Sequence, residues 1–302
     1  MAASKTKTKL APVRGMPMTA LRRFLIDDWK SLILLTPSFL WLGLFFMIPL
    51  GVMAWTSLAS EGFSARSYLI ILTSAHYGVV MMTTFKIAIT VTIGALFLAY
   101  PVAYVLAISH GVIRAVLLVG IIIPYWVDAI VRSFAWLIML GDNGLINKTL
   151  IGIGIIHQPL PLLYNFFTVV VVMVQVLLPM TIIILFGAML RIDRTLTTAA
   201  RIHGASEWRA FWTIFFPLSL PGVYGAGLLV FVISLGFYIV PALLGSPNET
   251  MIAQTIMIEA QDLLDWAVAS AAGILLLIAI TAILTVYNIY FNIGRLWGET
   301  ER

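Results

Sequence analysis

Two kinds of residue are scarce in this chain: it has no cysteine, and charged residues make up only 10% of its 302 positions. Without cysteine, the chain has no disulfide, no thiolate metal site and no cysteine nucleophile. Soluble domains carry about 25% charged residues. Here 61% of the residues are hydrophobic and the mean hydropathy is +1.04. The polar surface is too small to cover a soluble fold, so the sequence predicts a protein of the lipid bilayer.

Motifs for nucleotide and metal chemistry are missing as well. A phosphate-binding loop ends in Gly-Lys-Ser/Thr, whereas Lys148-Thr149 follows Asn147. The sequence contains neither a His-Glu-x-x-His motif nor a Gly-x-Ser-x-Gly elbow, and its four histidines are scattered without ligand spacing. We therefore expect no enzymatic activity, no bound cofactor and no metal site in this chain.

Long uncharged stretches are what the sequence has in abundance. A helix needs about 20 apolar residues to cross the hydrocarbon core, and several uncharged runs are longer than that. The runs predict an all-α integral membrane protein with about six transmembrane helices, near residues 32–58, 86–109, 113–140, 165–190, 222–245 and 267–292.

The positive charges are distributed unevenly along the chain. Fourteen of the 18 Lys and Arg residues fall on one side of the membrane if the N-terminus is cytoplasmic, and the positive-inside rule favours that orientation. We therefore predict a basic cytoplasmic tail at 1–30, a transmembrane domain at 31–294 and a cytoplasmic tail at 295–302. The net charge of +5 is then a topology signal and does not indicate nucleic-acid binding.

The loop at 191–221, between predicted helices 4 and 5, has a distinctive pattern. Residues 195–203 favour one short helix, and Gly204 allows the chain to turn. Ser206 is a candidate N-cap with Glu207 in the first turn.

A second short helix follows that turn. Trp208, Phe211, Trp212 and Phe215 make one apolar stripe along it. Pro217 is expected to end this helix, and Pro221 to open the next span. Such an amphipathic helix either lies flat on the membrane or inserts into a groove of a partner protein, and the residues alone leave both interpretations open.

The same loop resembles the cytoplasmic signature loop of bacterial ABC importer permeases, which reads Glu-Ala-Ala, three residues, Gly, nine residues, Ile-x-Leu-Pro. Here the spacing is kept, with Thr in place of the acid and Phe in place of the leucine. The resemblance implies a coupling helix that docks on an ATP-binding subunit. The residues that it assigns to this coupling are Thr198, Ala199, Ala200, Gly204, Ala205, Trp208, Phe211, Ile214 and Pro217.

Other segments look like the spermidine/putrescine branch of these permeases, namely 124–126, 132–136, 141–147, 217–222, 227–231, 241–245 and 251–254. The resemblance implies the type I ABC importer permease fold, a bacterial inner-membrane location and a polyamine as the solute, with an opine or amino-acid-like solute as the alternative. It also implies a second homologous permease, two ATP-binding subunits that bind ATP and Mg, and an extracytoplasmic solute-binding protein.

Polar residues within or near the spans have several interpretations. Asp128 and Arg132 are four residues apart, so we predict that they share one face of a helix. They form either a structural ion pair or, with the aromatic residues Tyr125, Trp126 and Trp136, part of a path for a cationic solute.

The outer loop before the last span carries four acids, including Glu259 and Asp262, and no base. It could attract a polycation, receive a solute-binding protein or simply be solvated. A gradient-driven secondary transporter is the main rival to the importer. Such a transporter would need buried acids or broken helices as an ion site, and often inverted repeats. The sequence shows only Asp128 and no convincing internal repeat.

Overall fold

The computed structural model describes the backbone of residues 18–59 and 64–291, and the side chains of residues 35–59 and 64–289. This part of the chain is helical and contains no β-strand, which confirms the predicted all-α fold. The α-helices are, in chain order, α1 Met18–Leu58, α2 Arg66–Thr73, α3 Ala75–Ile108, α4 Gly111–Tyr125, α5 Ala129–Leu140, α6 Leu145–Gly152, α7 Phe166–Leu190, α8 Arg194–Ile202, α9 Glu207–Ala210, α10 Phe216–Leu235, α11 Ile239–Leu244, α12 Ile252–Gln261 and α13 Trp266–Phe291. A π-helical turn occupies Phe211–Phe215 and a 3₁₀ turn occupies Pro247–Glu249.

Six helical segments in the described ranges are long and apolar enough to cross a membrane, as predicted. They are Leu35–Leu58, Ala75–Ile108, Ala129–Gly152, Phe166–Leu190, Glu207–Leu235 and Trp266–Ile289. Helix α4 is a shorter apolar helix. The predicted tail at 295–302 lies outside the described residues. So does the predicted tail at 1–30 up to residue 17, whereas residues 18–30 belong to α1.

The second span begins earlier than predicted. Helix α3 starts at Ala75, not near residue 86, and continues through Lys86. The charge does not end the helix because its long side chain can extend away from the apolar backbone. The ammonium nitrogen of Lys86 lies 4.6 Å from the centre of the Phe166 ring, a cation–π contact that offsets part of the desolvation cost.

The third predicted span is not one helix. Helix α4 ends at Tyr125 and α5 begins at Ala129, so the prediction of a continuous helix over 113–140 is wrong. Asp128 has extended backbone torsions and is the N-cap of α5: its carboxylate accepts a hydrogen bond from the N–H of Ile130 at 2.7 Å. Aspartate competes with the backbone for such hydrogen bonds and so favours helix starts over helix interiors.

The fifth span is also organised differently. Pro217 does not end a separate helix, because α9, the π-turn and α10 form one helical segment over Glu207–Leu235. Pro217 comes soon after the π-turn, whose shifted hydrogen bonding lets the helix continue through a residue that has no N–H. The predicted span at 222–245 is instead interrupted between Leu235 and Ile239, where α10 ends and the short α11 begins.

The chain divides into two compact units, residues 1–55 and residues 56–302. In the first unit, the apolar side chains of α1 from Leu35 onwards are mostly exposed. In the second unit, α3 is the common element of three buried clusters. It packs with α7, α10 and α11 in one, with α2, α12 and α13 in another, and with α7 and the π-turn in the third.

Helices α7 and α10 approach closely at Gly222. A Cβ added at Gly222 would lie 2.4 Å from the Cβ of Ala188, whereas one added at Gly225 of the same helix would meet nothing within 4 Å. Small residues allow such close helix packing in membranes.

We expect Gly222→Ala to destabilise the protein by about 1–3 kcal/mol, because the two helices must separate. Gly225→Ala is the matched control and should leave stability unchanged or raised. Thermal unfolding of the two purified variants in detergent checks the difference, and equal stability would contradict the close approach of α7 and α10.

Candidate functional site

The first candidate site is the loop after α7, which begins with a capped helix and a tight turn. At the end of α8, the N–H of Gly204 donates to the carbonyl of Arg201, and that of Ala205 donates to the carbonyl of Ala200, both at 3.0 Å. Gly204 has φ +86°. These two hydrogen bonds and a left-handed glycine define a Schellman motif. The Ala-Ala and Gly positions are therefore spaced as this helix ending requires.

The start of α8 is fixed by local hydrogen bonds. The carboxylate of Asp193 accepts from the N–H of Thr195 at 2.9 Å, and this bond lowers the pKa of Asp193 below its ordinary value. The hydroxyl of Thr198, which stands at the acidic position of the signature loop, donates to the carbonyl of Arg194 at 3.1 Å. Thr198 thus makes a hydrogen bond within its own helix.

The second half of the loop starts as predicted. Ser206 is the N-cap of α9, and its hydroxyl accepts from the N–H of Arg209 at 3.3 Å. Glu207 stands in the first turn and forms an ion pair with Arg201 of α8 at 3.0 Å. Both side chains are exposed, so the pair adds little stability, but it joins the two sides of the Gly204 turn.

Large apolar side chains are exposed around this turn. Ile202 is 81% exposed and Trp208 is 71% exposed, and they lie on either side of Gly204. Leu196 and Trp212 are exposed as well. Among the predicted coupling residues, Thr198, Ala199 and Pro217 are exposed, whereas Ala200, Ala205, Phe211 and Ile214 are half-buried. Sequence reasoning missed Ile202, although an isoleucine two residues before Gly204 was a usable signal.

The opposite side of the same segment is buried against α3. Phe215 is only 7% exposed. Its ring centre lies 5.0 Å from that of Tyr104, and the centre of Phe211 lies 5.1 Å from that of Tyr104. The hydroxyl oxygen of Tyr100 is 2.8 Å from that of Ser219. The segment therefore presents one apolar side outwards and fixes the other to α3.

The second candidate site is an open cavity of about 460 Å³ at the break between α4 and α5. It is lined by Tyr125, Trp126, Val127, Asp128, Ala129, Arg132, Val176, Leu177, Met180, Ile233 and Phe237. Four of the predicted solute-path residues are therefore brought together. Trp126 is 83% exposed, so its indole is available to a ligand or to another protein.

Asp128 and Arg132 both line the cavity but do not form an ion pair with each other. Nη1 of Arg132 donates to the carbonyl of Val176 at 3.4 Å, and its Nε is buried without a partner. One oxygen of Asp128 caps α5. The carboxylate is exposed and not neutralised by a contacting base, so it can attract a cation.

Trp136 and Arg132 both connect α5 to a bend-prone part of α7. Nε1 of Trp136 lies 3.5 Å from Oε1 of Gln175, next to the carbonyl that Arg132 contacts. Pro179 stands one turn further along α7 and leaves the carbonyl of Gln175 without its helical donor. Trp136 is not among the residues that line the cavity, and its contact with Gln175 holds α5 against α7.

Glu259 and Asp262 lie on a different group of helices from the cavity. Glu259 of α12 accepts a hydrogen bond from the hydroxyl of Tyr77 in α3 at 2.5 Å. Asp262 is the exposed residue that ends α12. Asp265 caps α13 by accepting from the N–H of Val268 at 3.0 Å, and Glu249 closes a capping box with Ser246. Three of the four acids between residues 249 and 265 thus have structural partners.

Across the described part of the chain, no three His, Asp or Glu side chains come together to hold a metal ion. The two sites are instead an exposed apolar loop that continues into a membrane span, and a cavity at a broken helix. Together with the six apolar helices, they define the class of multi-span helical membrane proteins.

Comparison with known proteins agrees with that class. Residues 95–293 match the family described as the binding-protein-dependent transport system inner membrane component. The match covers about two thirds of the chain, and the chain belongs to this family. It is a multi-pass protein of the inner membrane and a component of a transport system.

Named relatives extend the similarity over most of the chain. It is 29% identical to the spermidine/putrescine transport system permease protein PotB of Escherichia coli (strain K12) over 255 residues, 82% of this chain and 92% of the relative. It is also 29% identical to PotB of Haemophilus influenzae over 256 residues, 82% of this chain and 90% of the relative.

Among solved structures, the fold is similar to a chain of a bacterial ABC transporter involved in the import of the acidic polysaccharide alginate. The TM-score is 0.71 at 18% sequence identity, and the match covers 90% of this chain and 98% of that one. This similarity confirms the predicted permease fold.

Proposed function

We propose that this chain is a permease subunit of an ATP-driven importer for a small solute, and that the solute is a polyamine such as putrescine or spermidine. The observation that carries the proposal is the loop around Gly204. It exposes Ile202 and Trp208 and continues without a break into the span Glu207–Leu235. The family match and the names of the similar permeases support the same conclusion.

The exposed apolar residues of the loop fit a groove on an ATP-binding subunit better than a membrane surface. The two short helices that carry these residues also expose the charged side chains of Arg201, Arg209 and Glu207. The second of them, α9, continues into a span that already crosses the bilayer. An amphipathic helix in a protein groove is a common recognition mode. Two ATP-binding subunits, which bind ATP and Mg, would dock on this chain and on a second homologous permease.

The orientation of the chain follows from the same assignment. Nη1 of Arg194 in the loop lies 3.4 Å from Nε2 of His110, which precedes α4. The segments before α4 and after α7 therefore share one end of the molecule. Positive charge favours the cytoplasm for this end, which supports the proposal that both termini are cytoplasmic. The solute-binding protein would deliver solute at the other end.

The cavity at the broken helix supports an amine as the solute. Asp128 supplies a carboxylate, and Tyr125, Trp126 and Phe237 supply aromatic rings beside it. An ammonium group is attracted both by charge and by cation–π contacts. Arg132 in the same cavity favours the second candidate, an amino-acid-like or opine solute, because its guanidinium suits a carboxylate.

The test reconstitutes the complete complex in proteoliposomes with its binding protein. The rate of ATP hydrolysis is then measured in the presence of putrescine, spermidine, amino acids or opines. Stimulation by polyamines confirms the proposal, and stimulation by a zwitterion selects the second candidate. If no ATP-binding subunit copurifies with the chain, the importer assignment is wrong and a gradient-driven transporter takes its place.

Asp128→Asn should raise the half-saturating polyamine concentration about fivefold, because it removes the negative charge while asparagine remains a good N-cap. Asp128→Ala should in addition destabilise α5 by about 1 kcal/mol. Uptake of labelled spermidine and thermal unfolding separate the two effects. An unchanged half-saturating concentration in Asp128→Asn would place the solute elsewhere.

A further inference from the structure

Helix α3 carries two tyrosines near its end that contact the loop segment. Tyr100 and Tyr104 are four residues apart, so they share one face of α3. Tyr104 touches Phe211 and Phe215 at ring-centre distances of 5.1 and 5.0 Å. Tyr100 lies 5.7 Å from Phe216 by the same measure. We call these five side chains the aromatic cluster.

The π-turn explains why three phenylalanines can meet two tyrosines. In a π-turn the hydrogen bonds run from residue i to residue i+5, and here the N–H of Phe216 donates to the carbonyl of Phe211. Residues four and five positions after Phe211, namely Phe215 and Phe216, therefore both stand beside it. A regular α-helix would turn Phe216 away from α3. Such π-turns occur often at functional sites.

The cluster is also held by a polar contact. The hydroxyl oxygen of Tyr100 lies 2.8 Å from that of Ser219, which is itself buried and donates to the carbonyl of Phe216 at 2.8 Å. A hydrogen bond of this kind fixes the ring of Tyr100 in register with the first turn of α10. The aromatic cluster is therefore held by a hydrogen bond, which fixes its orientation, as well as by apolar contacts.

The exposed side of the loop and the aromatic cluster lie on the same helical segment. Trp208 is exposed and Phe211, one turn later on the same helical segment, belongs to the cluster. Beyond the cluster, α3 packs along α7, and α7 supplies Val176 to the wall of the solute cavity. A continuous series of packed helices thus connects the exposed loop with the cavity.

We propose that Tyr100 and Tyr104 are positioning residues that transmit movement of the loop to α3, so that α3 and α10 move together when ATP is hydrolysed. This inference rests on the proposed function, since it needs an ATP-binding subunit to move the loop. It assigns the transmission to two residues of α3 that lie outside the signature loop.

The test measures solute transported per ATP hydrolysed in proteoliposomes containing the complete complex. Tyr104→Leu is expected to lower this ratio at least tenfold, while the ATPase subunits still copurify and ATP hydrolysis stays within about twofold of wild type. Tyr104→Phe keeps the ring contacts and should retain the wild-type ratio. Tyr100→Phe removes only the hydroxyl to Ser219 and should lower the ratio by a smaller factor.

Each failure has its own signature. If Tyr104→Leu leaves the ratio of solute transported to ATP hydrolysed unchanged, the aromatic cluster only stabilises the packing of the helices and the inference is wrong. If Tyr104→Leu does not fold, as judged by thermal unfolding, Tyr100→Leu takes its place under the same criteria. If wild-type complex contains no ATPase, it is the proposed function that fails.

Discussion

Trp208→Ala is expected to weaken binding of the chain to its ATP-binding subunit at least 30-fold. The indole is 71% exposed and stands beside the Gly204 turn, supported by the ring of Trp212 at a centre distance of 5.6 Å. A rigid, exposed tryptophan that becomes buried on binding typically contributes about 2 kcal/mol or more, and 1.4 kcal/mol corresponds to a factor of ten. Titration of the detergent-solubilised permease with the purified ATP-binding subunit measures the loss.

The chain offers a matched control for that measurement. Trp126 is 83% exposed and lines the cavity between α4 and α5, directly after the end of α4 that is far from the loop. Trp126→Ala should leave binding of the ATP-binding subunit unchanged, even where solute transport is altered. If both variants bind the subunit as wild type does, the exposed side of the loop is not the docking surface.

Gly204→Val is expected to lower transport at least tenfold while membrane insertion and the six spans remain intact. Gly204 has φ +86°, and an added Cβ would meet nothing within 4 Å. The penalty is therefore conformational and not steric: a left-handed residue costs roughly 1–2 kcal/mol, and a β-branched one more. The strain opens the Schellman turn and displaces Trp208 relative to α8.

Gly204→Asn is the control that separates the effect of the left-handed backbone at position 204 from the effect of adding a side chain there. Asparagine tolerates the left-handed region, and the space around position 204 is open, so this variant should transport nearly as wild type does. Uptake of labelled solute by cells with equal amounts of membrane-inserted protein is the measurement. Equal transport by the Val and Asn variants would mean that the turn is not needed for coupling.

Much of this architecture could be predicted from the sequence because it depends on composition. The number of spans follows from uncharged runs longer than the bilayer is thick. The Gly204 turn could be predicted because it depends on residues that are close in sequence: a capped helix, a left-handed glycine and a serine N-cap. The gathering of residues 125–132 at one cavity followed from their proximity in the chain.

The wrong predictions concern places where a contact or a shift in hydrogen bonding overrules a rule about one residue. The predicted span start near Lys86 is wrong because the ring of Phe166, distant in sequence, accommodates the charge. The predicted helix end at Pro217 is wrong because the π-turn before it shifts the hydrogen bonding so that the helix continues. The partners of Tyr100 and Glu259 are each more than 100 residues away, and no local pattern could reveal such pairs.

The central place of α3 has a consequence for how the protein is made. Helix α3 leaves the ribosome early, yet α7, α10 and α13, which bury it, are synthesised later. About 160 residues separate Ile108 from Trp266, which at typical translation rates takes roughly 8–30 s. During that interval the alanine-rich faces of α3 are not yet covered by the later helices. We therefore expect membrane proteases to recognise and remove chains that are truncated before α13.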